Sequence, residues 1–345
     1  MDRIRKFIRQ ERLYILLLIL VILMNIGVAS SSRVKQKTGE RVVTFSKQLI
    51  PKTFDVEKLL REKRPLVIIM NLLSLLFIVG LLLGIIIDIN LLLRRRATGR
   101  FPDIHTYELK TVRWNIWDVV KVVTLFLFFG YGIVIIESFY AKIFPILKND
   151  NLRVMLNSSV LDVLSAICIL YFVMHEHKET MISLGLSLKN FLKNIFYGII
   201  GYIALIPILL GILIAISVVT NLMKYTPEQQ LVVELFLKEK NNMFLVYISI
   251  FASIIGPIVE ETFFRGFMYN AFRKTIGIFW ATLFTAAVFA GLHASPVGFL
   301  PIMALGVLLT YLYEKTGTLI SPITVHVIHN FSMVGLVFLV KALKG

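Results

Sequence analysis

Long runs of Leu, Ile, Val and Phe dominate the chain, separated by short polar and basic stretches. Nine runs approach the roughly 20 apolar residues that a membrane-crossing helix requires. They lie at 13–30, 66–93, 119–144, 157–174, 195–222, 243–268, 277–294, 298–314 and 319–340. The predicted fold class is all-α, a polytopic membrane bundle of about 8–9 transmembrane helices. Composition agrees: 57% of the 345 residues are apolar and 17% charged, whereas a soluble domain has about 45–50% and about 25%. Disorder is excluded by the same surplus of apolar side chains. A single cysteine, Cys168, excludes an internal disulfide and a paired-cysteine zinc site.

The formal charge is +16, from 37 Lys and Arg against 21 Asp and Glu. In a soluble protein that balance would suggest nucleic acid. Here the basic residues sit between apolar runs, which suits anionic headgroups, so the bilayer is the expected partner and nucleic acid is not. Four basic clusters fall on one side if the nine spans alternate: the arm from Arg3 to Arg12, Arg94-Arg95-Arg96, Lys189 with Lys193, and Arg273-Lys274. The positive-inside tendency then makes the N-terminus cytoplasmic. The 35-residue loop 31–65, with ten Lys and Arg, lands outside and opposes that orientation. The first span also has the basic start and the small residues Ala29, Ser30 and Ser31 of a signal peptide. Its apolar run is longer than the usual core of about 7–15 residues, which favours a retained span. The expected organisation is an N-terminal transmembrane region, 1–176, with four spans, followed by a C-terminal membrane domain, 177–345. Gly80 and Gly84 form a GxxxG in the second span, a pattern of close helix packing.

Ionisable residues inside spans are costly and carry the most information. Glu137 and Asp162 lie near span ends, Asp88 lies near the arginine cluster, and Lys121 and Lys193 can snorkel. His175-Glu176-His177 resembles a small metal site but reads as a solvated connection. The last third differs. It holds Glu260 and Glu261 in GPIVEETFFRGF, His293 in FAGLHAS, and His326, His329 and Asn330 in SPITVHVIHNFS. Glu261 and Arg265 are four apart and can pair on one helix face, which leaves Glu260 without that partner. His326 and Asn330 share a face in the same way, and Phe289 lies one turn before His293. At about 1.5 Å per residue, Glu260, His293 and Asn330 come to about 21, 24 and 20 Å from one membrane side. Three helices thus bring polar groups to one level, as a shared cavity requires. Gly256-Pro257 should bend the sixth span, and Pro296 should end the seventh.

A carboxylate and a histidine can activate water as general bases, and His326 with the Asn330 amide can donate to a developing oxyanion. That combination describes acyl-group hydrolysis, most naturally of a peptide bond. Glu260, His293 and His326 also approximate a two-histidine, one-carboxylate set for a divalent metal such as Zn2+, so the water is either metal-bound or metal-free. No HExxH helix and no GxSxG elbow is present in the sequence. A proton or ion pathway through the same residues is a competing reading. It fits less well, because the groups cluster at one level and no inverted repeat is apparent.

The ordered set EExxxR, FxxxH and HxxxN resembles the CPBP family of CAAX-protease and bacteriocin-processing intramembrane endopeptidases, also called Abi. Here the set reads Glu260-Glu261 with Arg265, Phe289 with His293, and His326 with Asn330, within roughly residues 245–340. A SLGLSLKN stretch upstream is family-like too. The resemblance implies an intramembrane (metallo)endopeptidase in the plasma membrane of a prokaryote, acting on a peptide or protein that is lipidated in some relatives. It implies that Glu260 and His293 activate water and that His326 and Asn330 hold the oxyanion, with Glu261, Arg265 and Phe289 in support. A non-catalytic membrane scaffold or immunity factor is the alternative within the same family.

Overall fold

The computed structural model describes residues 2–35, 64–99, 109, 111–140, 150–225, 227 and 231–344, so most of loop 31–65 lies outside the described residues. The described chain is helical: α1 (Asp2–Gln10), α2 (Arg12–Lys35), α3 (Arg64–Thr98), α4 (Ile116–Tyr140), α5 (Asp150–Leu170), α6 (Phe191–Leu222), α7 (Leu231–Lys238) and α8 (Asn242–Ile250) are followed by α9 (Gly256–Glu261), α10 (Asn270–Leu292), α11 (Phe299–Thr316) and α12 (Ile320–Lys344). No strand occurs among the described residues. The protein is a polytopic all-α membrane bundle.

Among the described residues six helical stretches are long and apolar enough to cross a membrane, and the nine expected spans reconcile with them. The sixth and seventh expected spans share the 51-residue stretch Asn242–Leu292, which leaves helical geometry at Gly277. Gly277 bends it with φ 78°, a left-handed conformation that a glycine adopts without strain. The first apolar helix is short in its described part, Arg12–Ile26. The eighth, α11, ends on Glu314 and Lys315, which dilute its apolar character.

The described residues fall into two compact units, one within 1–43 and 112–181, the other within 44–111 and 182–345. The second unit takes in α3 together with the helices after residue 181. The reason is its GxxxG. A Cβ on Gly84 would stand 2.4 Å from the Ile203 carbonyl oxygen and 2.7 Å from Pro207 Cδ. Pro207 lies inside α6, and with no N–H it leaves the carbonyl four residues back, that of Ile203, without its helical donor. The α3 backbone closes over that carbonyl, and only glycine permits the approach. Gly84→Leu is expected to destabilise this unit by about 1–3 kcal/mol through overpacking; a fall in unfolding temperature in lipid nanodiscs checks it.

In the first unit, Lys121 does not snorkel as expected. It is 9% exposed and its ammonium bonds Glu11 at 2.8 Å, with Asp118 at 3.6 Å. The 175–177 trio is dispersed: His175 stacks on Tyr171, Glu176 accepts from the Tyr171 hydroxyl, and His177 faces Asp118 at 3.0 Å. Glu137 stands 3.8 Å from Arg153.

Candidate active site

All the candidate residues lie in the second unit, on α9, α10, α12 and the helical segments between them. Two π-helical stretches, Phe251–Ile255 and Thr262–Tyr269, flank α9, which carries both glutamates. π-turns widen the backbone ring and recur at functional sites. The first has a cause in the sequence. Gly256 N–H bonds Phe251 O, five residues back; the next bond in that register would run from Pro257 to Ala252, and proline has no N–H to donate. The Ala252 carbonyl takes its hydrogen bond from elsewhere: Asn330 Nδ2 donates to it at 2.9 Å. The expected bend at Gly256-Pro257 is therefore a change of helical register that docks α12.

Glu261 and Arg265 form the expected pair at 2.7 Å, with side chains 0% and 1% exposed. The same oxygen, Glu261 Oε1, also accepts from His326 Nδ1 at 2.7 Å. Arg265 donates a second bond to the Gly306 carbonyl of α11 at 3.3 Å and lies over the Phe289 ring at 4.5 Å. A Cβ on Gly306 would come 3.0 Å from Ala286 Cβ and 3.4 Å from the guanidinium, so the carbonyl reaches Arg265 because residue 306 is glycine. Three helical segments thus lock one ion pair.

Glu260 is placed differently. Its side chain is 36% exposed, yet Oε2 is turned inward, buried, and has no hydrogen-bond partner among the described residues. It faces His326 Nε2 at 3.8 Å. That separation exceeds a direct hydrogen bond. Because Nδ1 of His326 is committed to a carboxylate, Nε2 is the nitrogen turned toward Glu260.

The remaining candidates stand further out. His293 caps the end of α10 and is exposed; the helix stops there, short of Pro296. Its Nδ1 bonds Phe289 O at 2.8 Å, so Nδ1 carries the proton in a neutral ring and Nε2 keeps its lone pair. The Phe289 ring packs edge-on against both His293 and His326, at 4.9 and 5.6 Å. No hydrogen bond among the described residues joins His293 to Glu260 directly. His329 turns to α6, its Nδ1 3.4 Å from the Tyr202 hydroxyl, which explains why it belongs to no motif.

No three His, Cys, Asp or Glu side chains among the described residues stand close enough together to hold an ion. The Nδ1 atoms of His293 and His326 are bonded to Phe289 O and Glu261, which leaves Nε2 of each ring as the nitrogen able to bind a ligand. Sequence reasoning missed Gly306 and the Ala252 carbonyl. Pro257, five residues beyond Ala252, was the available signal for the second.

Comparison with known proteins bears on this segment. Residues 242–332 match the family model described as type II CAAX prenyl endopeptidase Rce1-like. Over 81 residues the chain is 33% identical to a Bacillus subtilis (strain 168) protein provisionally named as the membrane peptidase YdiL. That match covers 24% of this chain and 33% of the relative, so the aligned region spans a third of the relative's length. No solved structure matches the chain.

Proposed function

We propose, on the premise that residues 242–332 are the core of a CPBP-type intramembrane protease, that this site hydrolyses a peptide bond with water activated by Glu260. One observation carries the reading. Both adjacent glutamates have an Oε2 without a hydrogen-bond partner among the described residues, but Glu261 is tied through Oε1 to Arg265 and His326, while Glu260 turns its Oε2 toward Nε2 of the same imidazole at 3.8 Å.

A water held by Glu260 Oε2 gives that carboxylate its proton as its oxygen attacks the carbonyl carbon of the peptide. The C=O electrons move to oxygen, and the resulting oxyanion needs donors. Asn330 uses one of its two amide protons on Ala252, so the other is not consumed by that bond. His326 donates from Nδ1 to Glu261 and turns Nε2 toward Glu260, so Nε2 is the nitrogen that reaches the oxyanion. The tetrahedral adduct then collapses, the C–N bond breaks, and the proton on Glu260 passes to the leaving nitrogen. His293, with Nε2 as acceptor at the end of α10, assists the proton transfer at the water. The substrate is a membrane-associated peptide, and a prenylated C-terminus is one form of it.

The test is cleavage in proteoliposomes of a farnesylated CAAX-ended peptide, its unprenylated twin and a peptide library, with new termini read by mass spectrometry. Hydrolysis of any of these by the wild type, lost in Glu260→Gln, is the expected result. No cleavage of all three, or equal cleavage by the variant, overturns the proposal and leaves the scaffold reading.

A further inference from the structure

A second site stands apart from the glutamates, where α6 begins and α11 ends. A cavity of about 310 Å³ is lined there by Lys189, Lys193, Lys315, Asn190, Tyr197 and Thr318, among others, and no carboxylate among the described residues lines it. Three lysines therefore line one cavity, with no acid among the described lining residues to balance them. The start of α6, a 32-residue helix, adds the positive end of its dipole. Lys189 lies in the turn before that start and Lys193 in the first turn of the helix.

An independent observation points to a ligand. Thr318 is 6% exposed, and its hydroxyl has no hydrogen-bond partner among the described residues although it belongs to the cavity wall. A buried hydroxyl is expected to be bonded. Here a bound oxyanion would accept its proton, with the lysine heads neutralising the charge. Beside the cavity the surface is apolar: Leu188 and Leu192 are each 78% exposed. That alternation of lysine and leucine suits a group held where headgroups meet acyl chains.

We propose that this cavity binds a phosphoryl group, carried by an anionic lipid headgroup or by a soluble phosphate. Asn194 connects the cavity to the glutamate site, since its carbonyl accepts from Ser321 Oγ of α12 at 2.8 Å; His326 lies five residues further along that helix. The inference does not depend on the proteolytic reading, because binding is measured without cleavage.

Native mass spectrometry of the full chain, titrated separately with phosphatidylglycerol and phosphatidylcholine, tests it. The wild type should prefer phosphatidylglycerol, and affinity should fall about fivefold for each lysine removed in Lys189→Gln, Lys193→Gln and Lys315→Gln. Thr318→Val should weaken binding as well, while Lys240→Gln, an exposed lysine outside the cavity, should leave it unchanged. Inorganic phosphate that displaces the lipid identifies the soluble source; lipid retained against phosphate identifies the headgroup. The proposal is overturned if the wild type shows neither a preference for phosphatidylglycerol nor phosphate binding. Loss confined to the lysine variants, with Thr318→Val binding as the wild type does, also overturns it, because that is nonspecific surface attraction.

Discussion

Glu260→Gln is expected to lose peptide cleavage by about a thousandfold, within the range of about 10²–10⁴ that general acid–base catalysis contributes. The substitution keeps the shape of the side chain and removes its capacity to accept the water proton. Because Glu260 Oε2 makes no hydrogen bond among the described residues, the amide breaks no structural contact. The unfolding temperature in nanodiscs should therefore match the wild type, and single-turnover cleavage of the peptide found to be hydrolysed gives the rate. A variant that cleaves normally removes Glu260 from the chemistry. A variant that unfolds early makes it a structural residue.

Arg265→Ala should behave in the opposite way, with a large loss of stability. Glu261 is 0% exposed and holds Arg265 and His326 through one oxygen. Removing the guanidinium leaves a carboxylate buried beside an imidazole, and breaking a buried pair by deleting one partner costs about 3–5 kcal/mol. The Gly306 carbonyl and the face of Phe289 also lose their cation. Glu261→Ala should cost a similar amount, since it strands Arg265 and releases His326 Nδ1. Unfolding in nanodiscs, followed by light scattering, reads both, and wild-type stability in both variants would remove the ion pair from the account.

The contrast between the two glutamates was legible in the sequence. Spacing alone paired Glu261 with Arg265 and left Glu260 over, because four residues return a helix to the same face. Spacing could not show that His326, 65 residues away, completes that pair, since a long-range contact has no local signature. It also placed His293 within a span, whereas the helix ends at that residue and the ring stands at the margin of the site. Apolar run length gave the membrane class at once, and the chain leaves helical geometry at Gly277, where the seventh expected span begins. Lys121 was misread for a related reason. Its partner Glu11 is 110 residues distant, so a buried lysine looked like one reaching for the interface. Gly84 was read as a packing glycine, and the partner it required, a carbonyl left without a donor by Pro207, became visible only in three dimensions.

The most direct test is a double-mutant cycle between Glu260 and His326 on single-turnover peptide cleavage. If both groups act on one transition state, Glu260 on the attacking water and His326 on the oxyanion, Glu260→Gln with His326→Gln should be hardly slower than the worse single variant, because residues that act as a unit are non-additive. Rate losses that multiply independently across the cycle would contradict a shared site.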